Sequence, residues 1–191
     1  MEGVLTPEIW IAVAEQTGIG ELRRTTRDEP DYDKLMRCRI GLLDQHGITL
    51  SRIQAVIGSL APLPGAGAFL NTLREQVQVI IVSDTFEQFA QPLLRQLGWP
   101  VLFCNRLIVD NDRITGYQLR LPDQKRCSVT ALQSLNYRVI AAGDSFNDTS
   151  MLKQADHGIL FRAPEAVVRQ FPQFPSVTDY SALLGRIMDL L

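Results

Sequence analysis

The chain contains few of the residues that build zinc sites and thiol-based catalytic centres. It has three cysteines, Cys38, Cys104 and Cys127, and two histidines, His46 and His157. The cysteines are odd in number, widely spaced and form no Cys-x-x-Cys pair. This pattern argues against a disulfide framework, a zinc site and a cysteine nucleophile with its base, and it is typical of reduced thiols in a cytoplasmic protein.

An excess of one charge sign and a long apolar run are also missing. The formal net charge is −2, so no basic surface for nucleic acid is predicted. No apolar run approaches the roughly 20 residues of a membrane span, and no signal peptide is evident. A hydrophobic content of 46% over 191 residues supports one substantial core with room for a smaller inserted module.

The most informative run is Gly-Asp-Ser-Phe-Asn-Asp at residues 143–148, directly after the apolar segment 137–142. Such a segment predicts a buried parallel strand, whose carboxyl end is where open α/β sheets bind ligands. Two carboxylates four residues apart, with an amide between them, suit Mg²⁺ and a phosphate. A turn that starts the helix 148–154 would explain Ser145 or Asn147 but not a second acid, so we favour a functional interpretation.

Two further segments support this interpretation. Ser83 follows the apolar strand candidate 77–82, and a hydroxyl followed by a helix start can bind phosphate with help from free backbone N–H groups. Lys125 precedes the helical pattern 127–135 and can offer a positive charge to a phosphoryl group. Taken singly, an ordinary helix N-cap and a solvated lysine are the favoured alternatives. In this order, at predicted strand ends and helix starts, the signals together are strong.

The remaining pattern alternates helices and strands. Helical spacing covers residues 8–17, 32–46 and 50–59, and a Pro- and Gly-rich break follows at 62–67. The segments after the break are helix 66–75, strand 77–82, helix 86–97, strand 101–104, a hairpin with its turn at 111–112, helix 125–135, strand 137–142, helix 148–155 and strand 158–161. This alternation predicts an α/β fold with a Rossmann-like parallel sheet.

The order of Ser83, Lys125 and Gly-Asp-x-x-Asn-Asp resembles the haloacid dehalogenase superfamily, in its phosphoserine phosphatase branch. The nearest similarity is to bifunctional phosphoserine phosphatase/homoserine phosphotransferases. It covers residues 1–5, 7–10, 25–28, 30–33, 83–86, 139–148 and 171–175. The resemblance implies a core formed by residues 1–13 and 62–191 and a small helical cap domain formed by residues 14–61.

The resemblance also implies Mg²⁺ as the cofactor and a set of residue roles. Glu2, Asp144 and Asp148 are the expected metal residues, with Asp148 either outside the metal's immediate ligands or holding Lys125 in place. Glu2 matches the general acid/base. Ser83 and Lys125 would contact the transferring phosphoryl oxygens.

Substrate recognition is expected to involve the cap domain. Glu8 matches the residue that binds the substrate ammonium, and Arg39 matches the one that binds its carboxylate. Their alternatives are a first-turn helix acid and a solvated helical arginine. The further residues expected at the substrate are Ser83, Asp84, Thr85 and Asn147.

The sequence departs from this family at its start. The family's nucleophilic aspartate ends the first, central strand of the sheet, and its position would directly precede Met1, because Glu2 matches the second acid of that motif. Without it, covalent catalysis has no nucleophile, so the chain as given is expected to be inactive. We expect an incomplete N-terminus rather than an evolved pseudoenzyme, which the intact mass of the native protein would decide.

The expected function is Mg²⁺-dependent hydrolysis of L-phosphoserine, with homoserine as an alternative phosphoryl acceptor. The alternatives are a catalytically inactive relative that binds phosphate or an amino acid, and a phosphatase for another small phosphomonoester. The expected partner is a small molecule, without nucleic acid or membrane. The sequence leaves open a homodimer and the balance between hydrolysis and transfer.

Overall fold

The computed structural model describes residues 1–25, 28–29 and 31–191. Thr26, Arg27 and Pro30, which belong to the family-like segments 25–28 and 30–33 and to the predicted cap domain, lie outside the described residues. The α-helices are α1 (Ile9–Thr17), α2 (Tyr32–Gln45), α3 (Leu50–Gly58), α4 (Ala66–Arg74), α5 (Glu87–Gln96), α6 (Gln124–Ser134), α7 (Thr149–Gln154), α8 (Glu165–Gln170) and α9 (Tyr180–Met188). The strands are β1 (Ile80–Phe86), β2 (Val101–Asp110), β3 (Arg113–Gln118), β4 (Ile140–Gly143), β5 (His157–Phe161) and β6 (Ser176–Val177).

The strands form two three-stranded sheets, ordered β1-β2-β3 and β4-β5-β6. β1 and β2 are parallel, whereas β2 and β3 form the antiparallel hairpin predicted around residues 111–112. The second sheet is entirely parallel. The predicted α/β fold with parallel strands is therefore confirmed. In the described part of the chain, no helix is long and apolar enough to cross a bilayer.

The parallel strands do not join into one sheet. A cavity of about 180 Å³ lies between β1 and β4 and is lined by apolar residues of both strands, among them Ile81 and Ala141. Residues 1–6 contribute only an isolated bridge between Glu2 and Thr6, so no described residue pairs with the facing edges of β1 and β4. The sequence pattern predicted strands but did not show which edges would meet.

The helices before the Pro- and Gly-rich break pack against the first sheet rather than standing apart from it. α1, α2 and α3 share one hydrophobic cluster with α5 and the β2–β3 hairpin, centred on buried residues such as Ile53 and Phe89. The N-caps of α2 and α3 are Asp31 and Thr49, whose side chains accept from the backbone N–H three residues later. α1 runs through the predicted domain boundary at residue 13, so the division into core and cap domain stays a prediction.

The last thirty residues form elements that the sequence pattern did not reveal. α8, β6 and α9 follow β5, and α9 packs against α4 in a second hydrophobic cluster with Ile81 and Phe161. Tyr180 stacks on both Phe69 and Phe161, with ring centroids 5.0 Å apart in each pair. A third cluster joins α6, α7 and α8 with the second sheet. These packings bring the carboxyl ends of β1 and β4 to one side of the molecule.

Candidate active site

A cavity of about 360 Å³ lies beside the carboxyl ends of β1 and β4. It is lined by every residue that the sequence singled out: Glu2, Glu8, Arg39, Ser83, Asp84, Thr85, Lys125, Asp144, Asn147 and Asp148. Parallel strands of an α/β fold end at the same edge, which explains why segments sixty residues apart meet here. The roles assigned to these residues stay predictions.

Lys125, in the first turn of α6, lies between two carboxylates. Its Nζ is 2.9 Å from Asp84 Oδ2 and 2.9 Å from Asp148 Oδ1, and its side chain is only 12% exposed. Burial alone lowers the pKa of Lys125, but the charges of Asp148 and Asp84 outweigh it and hold the pKa above its usual range. The lysine is therefore a fixed, largely buried cation.

Asp148 organises the loop after β4. Its Oδ2 accepts hydrogen bonds of 3.0 Å from the backbone N–H of Asp144, the backbone N–H of Ser145 and the Ser145 hydroxyl, while Oδ1 pairs with Lys125. Burial opposes its ionised form, but Lys125 and these donors bring the pKa of Asp148 below its usual value. Because both oxygens are engaged, the geometry favours the alternative in which Asp148 holds Lys125.

The loop also caps a helix, as the alternative interpretation of its sequence predicted. Ser145 and Asp148 form a reciprocal capping box at the short 3₁₀ helix Phe146–Asp148, which leads into α7. Gly143 leaves room for this arrangement, since a Cβ there would lie 2.5 Å from Asp148 Cβ. Helix capping and lysine binding are thus performed by the same carboxylate.

Asp144 has a different environment. Burial, and then the negative charge of Asp148, raise the pKa of Asp144 to about 6. The backbone of Gly3, with φ +75°, approaches this side chain so closely that a Cβ would lie 2.4 Å from Oδ2. A bound cation would strongly stabilise the ionised form of a carboxylate that is partly desolvated and lies beside another negative charge.

The donor set is only partly that of a metal site. Among the described residues, no group of three or more His, Cys, Asp or Glu side chains is arranged to hold a metal ion. Asp144 and Glu2 line the same cavity, and Glu2 Oε2 accepts from the backbone N–H of Ile9 at 3.0 Å, at the start of α1. Mg²⁺ commonly uses one or two carboxylates and completes its shell with water and phosphate oxygens, so Asp144 and Glu2 fit that ion.

Ser83 lies within β1 rather than at a helix start. The strand continues to Phe86, with irregular pairing to β2 between Val82 and Phe86, and α5 begins only at Glu87. The expectation that free N–H groups of the following helix share an anion with Ser83 stays a prediction. The irregularity shifts the register of the pairing between β1 and β2 across residues 83–85.

Three polar residues that sequence reasoning missed hold this irregular segment. Gln124 Nε2 donates to the Ser83 carbonyl at 2.8 Å and to Asp84 Oδ1 at 3.2 Å. Asn105 Nδ2 donates to the Asp84 carbonyl at 3.1 Å, and the Tyr32 hydroxyl donates to the same oxygen at 3.4 Å. Gln124 precedes Lys125, but no local pattern distinguishes these three residues from ordinary surface polar residues.

Arg39, on α2, is buried rather than solvated, so the solvated alternative is wrong for this residue. It is 6% exposed, its Nη2 donates to the Arg24 carbonyl at 2.6 Å, and it forms no ion pair with a carboxylate of the described chain. Burial lowers the pKa of Arg39 to about 10, which leaves it cationic at neutral pH. Glu8, at the N-cap position of α1, lines the same cavity and its charge contributes to the raised pKa of Asp144.

Comparison with known proteins gives a consistent result. Residues 6–156 match the haloacid dehalogenase-like hydrolases. A phosphoserine phosphatase of Pseudomonas syringae pv. tomato is 61% identical over 96% of this chain and 78% of that protein. Phosphoserine phosphatase ThrH of Pseudomonas aeruginosa is 61% identical over 96% of this chain and 90% of that protein. The crystal structure of phosphoserine phosphatase from T. onnurineus in complex with NDSB-201 has a TM-score of 0.73 and 27% identity, covering 97% of this chain and 90% of that chain.

Proposed function

Because the chain belongs to the haloacid dehalogenase-like hydrolases, we propose that its cavity binds L-phosphoserine as the substrate of Mg²⁺-dependent phosphate ester hydrolysis. One observation carries the proposal: a single cavity contains a buried lysine held by two carboxylates, a half-buried carboxylate with a raised pKa, and a buried arginine without a carboxylate partner in the described chain. The names of the two relatives that are 61% identical over 184 residues agree with this substrate.

The phosphate would lie against Lys125, the Ser83 hydroxyl and Asn147. Phosphoryl transfer depends mainly on positioning and on neutralising charge, which a fixed buried cation supplies. Asp144, with Glu2, would hold Mg²⁺, which when bound neutralises charge on the phosphate oxygens. Glu2 is also the proposed acid/base that protonates the leaving serine oxygen.

The amino-acid part of the substrate explains the remaining charges. Arg39 can donate two parallel hydrogen bonds to a carboxylate, and Glu8 can accept from an ammonium group. A simple phosphomonoester would use neither residue. This difference favours phosphoserine over a small phosphomonoester without carboxylate and ammonium groups.

The nucleophile is the one component that these 191 residues do not supply, because its matching position directly precedes Met1. We therefore propose that the described residues suffice to bind phosphoserine, whereas turnover requires an aspartate at that preceding position. Met1 lines both the main cavity and the apolar cavity between β1 and β4. An apolar strand attached before Met1 is thus expected to enter the space between the sheets and to end beside Asp144.

The test compares this chain with two extended forms, which carry the same short apolar strand ending in Asp or in Asn before Met1. We expect Mg²⁺-dependent phosphate release from L-phosphoserine by the Asp form alone, while all three bind the ligand in isothermal titration calorimetry. Adding homoserine to the Asp form and measuring phosphohomoserine tests the alternative acceptor. Binding without turnover by the Asp form would favour the inactive relative, and no phosphoserine binding by any form would contradict the proposal.

A further inference from the structure

Arg39 is held by an aromatic ring that is not among the residues discussed so far as site residues. The guanidinium carbon of Arg39 lies 4.4 Å from the centroid of the Trp10 ring. Trp10 is the second residue of α1 and lines the main cavity together with Arg39. The contact therefore joins α1 to α2 at the wall of the proposed substrate site.

The other contacts of the guanidinium leave its orientation dependent on this ring. Nη2 donates to the Arg24 carbonyl, and Nη1 lies 3.8 Å from the Met36 sulfur, a weak acceptor. Nε is buried without a hydrogen-bond partner among the described residues. One backbone carbonyl cannot fix a planar group with five N–H donors, so the contact with the Trp10 ring provides a second constraint.

Trp10 is itself held in place by the hydrophobic core. Its ring meets the ring of Phe89 edge to face, with centroids 5.4 Å apart and an interplanar angle of 72°. Phe89, on α5, is 1% exposed. The buried Phe89 ring thus holds the Trp10 ring in place, and the Trp10 ring in turn contacts the guanidinium of Arg39.

We infer that Trp10 is a positioning residue that favours ligands with a carboxylate by restricting the rotation of the Arg39 guanidinium. This inference rests on the proposed function, because Arg39 is there the group that binds the substrate carboxylate. An indole face attracts a partly desolvated cation and restricts its rotation, so less freedom is lost when the edge of the guanidinium meets a carboxylate. Trp10 then acts through Arg39 and need not touch the ligand.

The test measures the affinities of two ligands for Trp10→Leu and Trp10→Phe by calorimetry in the presence of Mg²⁺. L-Phosphoserine carries a carboxylate, whereas phosphoethanolamine has the same phosphate and ammonium groups without it. We expect Trp10→Leu to weaken phosphoserine binding by about three- to tenfold and to leave phosphoethanolamine binding unchanged. Trp10→Phe, which keeps an aromatic face, is expected to stay within about twofold of the parent.

A control variant separates positioning from loss of stability. Phe69→Leu removes an aromatic ring from the second hydrophobic cluster, away from the main cavity, and is expected to lower stability without changing either affinity.

Tryptophan fluorescence gives a second readout. The chain has two tryptophans, and Trp99 is 62% exposed, so Trp99→Phe makes Trp10 the sole tryptophan. In that variant, we expect the fluorescence of Trp10 to change on binding of phosphoserine and not of phosphoethanolamine.

The outcomes distinguish the inference from the proposed function. Equal weakening of both ligands by Trp10→Leu, no weakening of either, or failure of Trp10→Phe to restore phosphoserine binding would overturn the positioning role. A parent chain that binds neither ligand would instead contradict the proposed function, and the inference with it.

Discussion

At the scale of single residues, the site is defined by two aspartates of one loop with opposite properties. Asp148 is stabilised as an anion by Lys125 and by backbone donors, whereas Asp144 is half-buried beside that negative charge. The same residue type therefore favours folding at one position and opposes it four residues away. The ionised Asp144 lowers the stability of the folded chain, which is consistent with a side chain whose role is to bind a cation.

Replacing Asp144 by Asn is expected to stabilise the chain at neutral pH. The pKa of Asp144 in the folded state, about 6, lies above the usual value of 3.8 for an aspartate. The contribution of Asp144 to stability is therefore complete below about pH 4 and is lost as the pH rises through about 6. We expect Asp144→Asn to be more stable than the parent by on the order of 1 to 2 kcal/mol at about pH 7.5, after allowance for partial exposure, and no more stable near pH 4. Urea unfolding at both pH values measures this, and added Mg²⁺ should stabilise only the parent.

The matched variant Asp148→Asn is expected to have the opposite effect. In the parent, the pKa of Asp148 is lowered in the folded state. Its contribution to stability is therefore present above the unfolded-state pKa and is lost as the pH falls through the folded-state pKa. Breaking its pair with Lys125 should cost about 3 kcal/mol at neutral pH, since a buried cation loses one of its two carboxylates. Equal stability changes for the two aspartates would show that the loop does not distinguish them.

At the scale of elements, the connection from β4 to α7 depends on the absence of a side chain at Gly143. A Cβ would meet Asp148 Cβ at 2.5 Å and Cγ at 2.6 Å, and both atoms are held by the capping box and by Lys125. The close approach of strand end and helix start therefore requires glycine for steric reasons.

Gly143→Ala is expected to lower the free energy of unfolding by about 1 to 3 kcal/mol, because the loop must move away from β4. The control is Gly185→Ala in α9, where an added Cβ meets no atom within 4 Å. That change should raise stability by up to about 1 kcal/mol through helix propensity. Urea unfolding of both variants measures the difference in sign; two stabilising substitutions would contradict the steric argument.

At the scale of the whole molecule, the helices before the break are fastened to the first sheet through the β2–β3 hairpin. The Tyr117 hydroxyl donates to Asp33 Oδ1 at 2.7 Å, and the Leu50 and Ser51 backbone N–H groups donate to Asp112 O and Oδ1 at 2.8 and 2.9 Å. These contacts join residues more than sixty positions apart. They attach α3, and α2 with Arg39, to the β2–β3 hairpin of the first sheet.

Asp112→Asn is expected to loosen this attachment while leaving the core intact. Ser51 lowers the pKa of Asp112 through side-chain and backbone hydrogen bonds, so the anion is the form that accepts them, and asparagine tolerates the positive φ of +65° at this position. Amide exchange at Ser51 should become about three- to tenfold faster, with unchanged exchange in β5. Asp110→Asn in the same hairpin is the control, and equal exchange at Ser51 in both variants would contradict the attachment.

The sequence by itself indicated the residues that line the main cavity and predicted most of the elements. Apolar runs predicted the strands that lead to Ser83 and Asp144, and helical spacing predicted α2, α3 and α4 with ends within one residue of those observed. The polar residues after β4 could be grouped with Ser83 because parallel strands end at a common edge. Such inferences succeed because periodicity is a property of neighbouring residues, and because all parallel strands of a sheet place their carboxyl ends at the same edge.

Only the tertiary structure decided what each side chain contacts. It paired Asp148 with Lys125, buried Arg39 against Trp10, and placed Gln124, Asn105 and Tyr32 around residues 83–85. It also left β1 and β4 in separate sheets and packed α9 against α4. These features depend on contacts between residues distant in the chain, whose free energies come from packing and desolvation, and neither quantity is encoded in a local pattern.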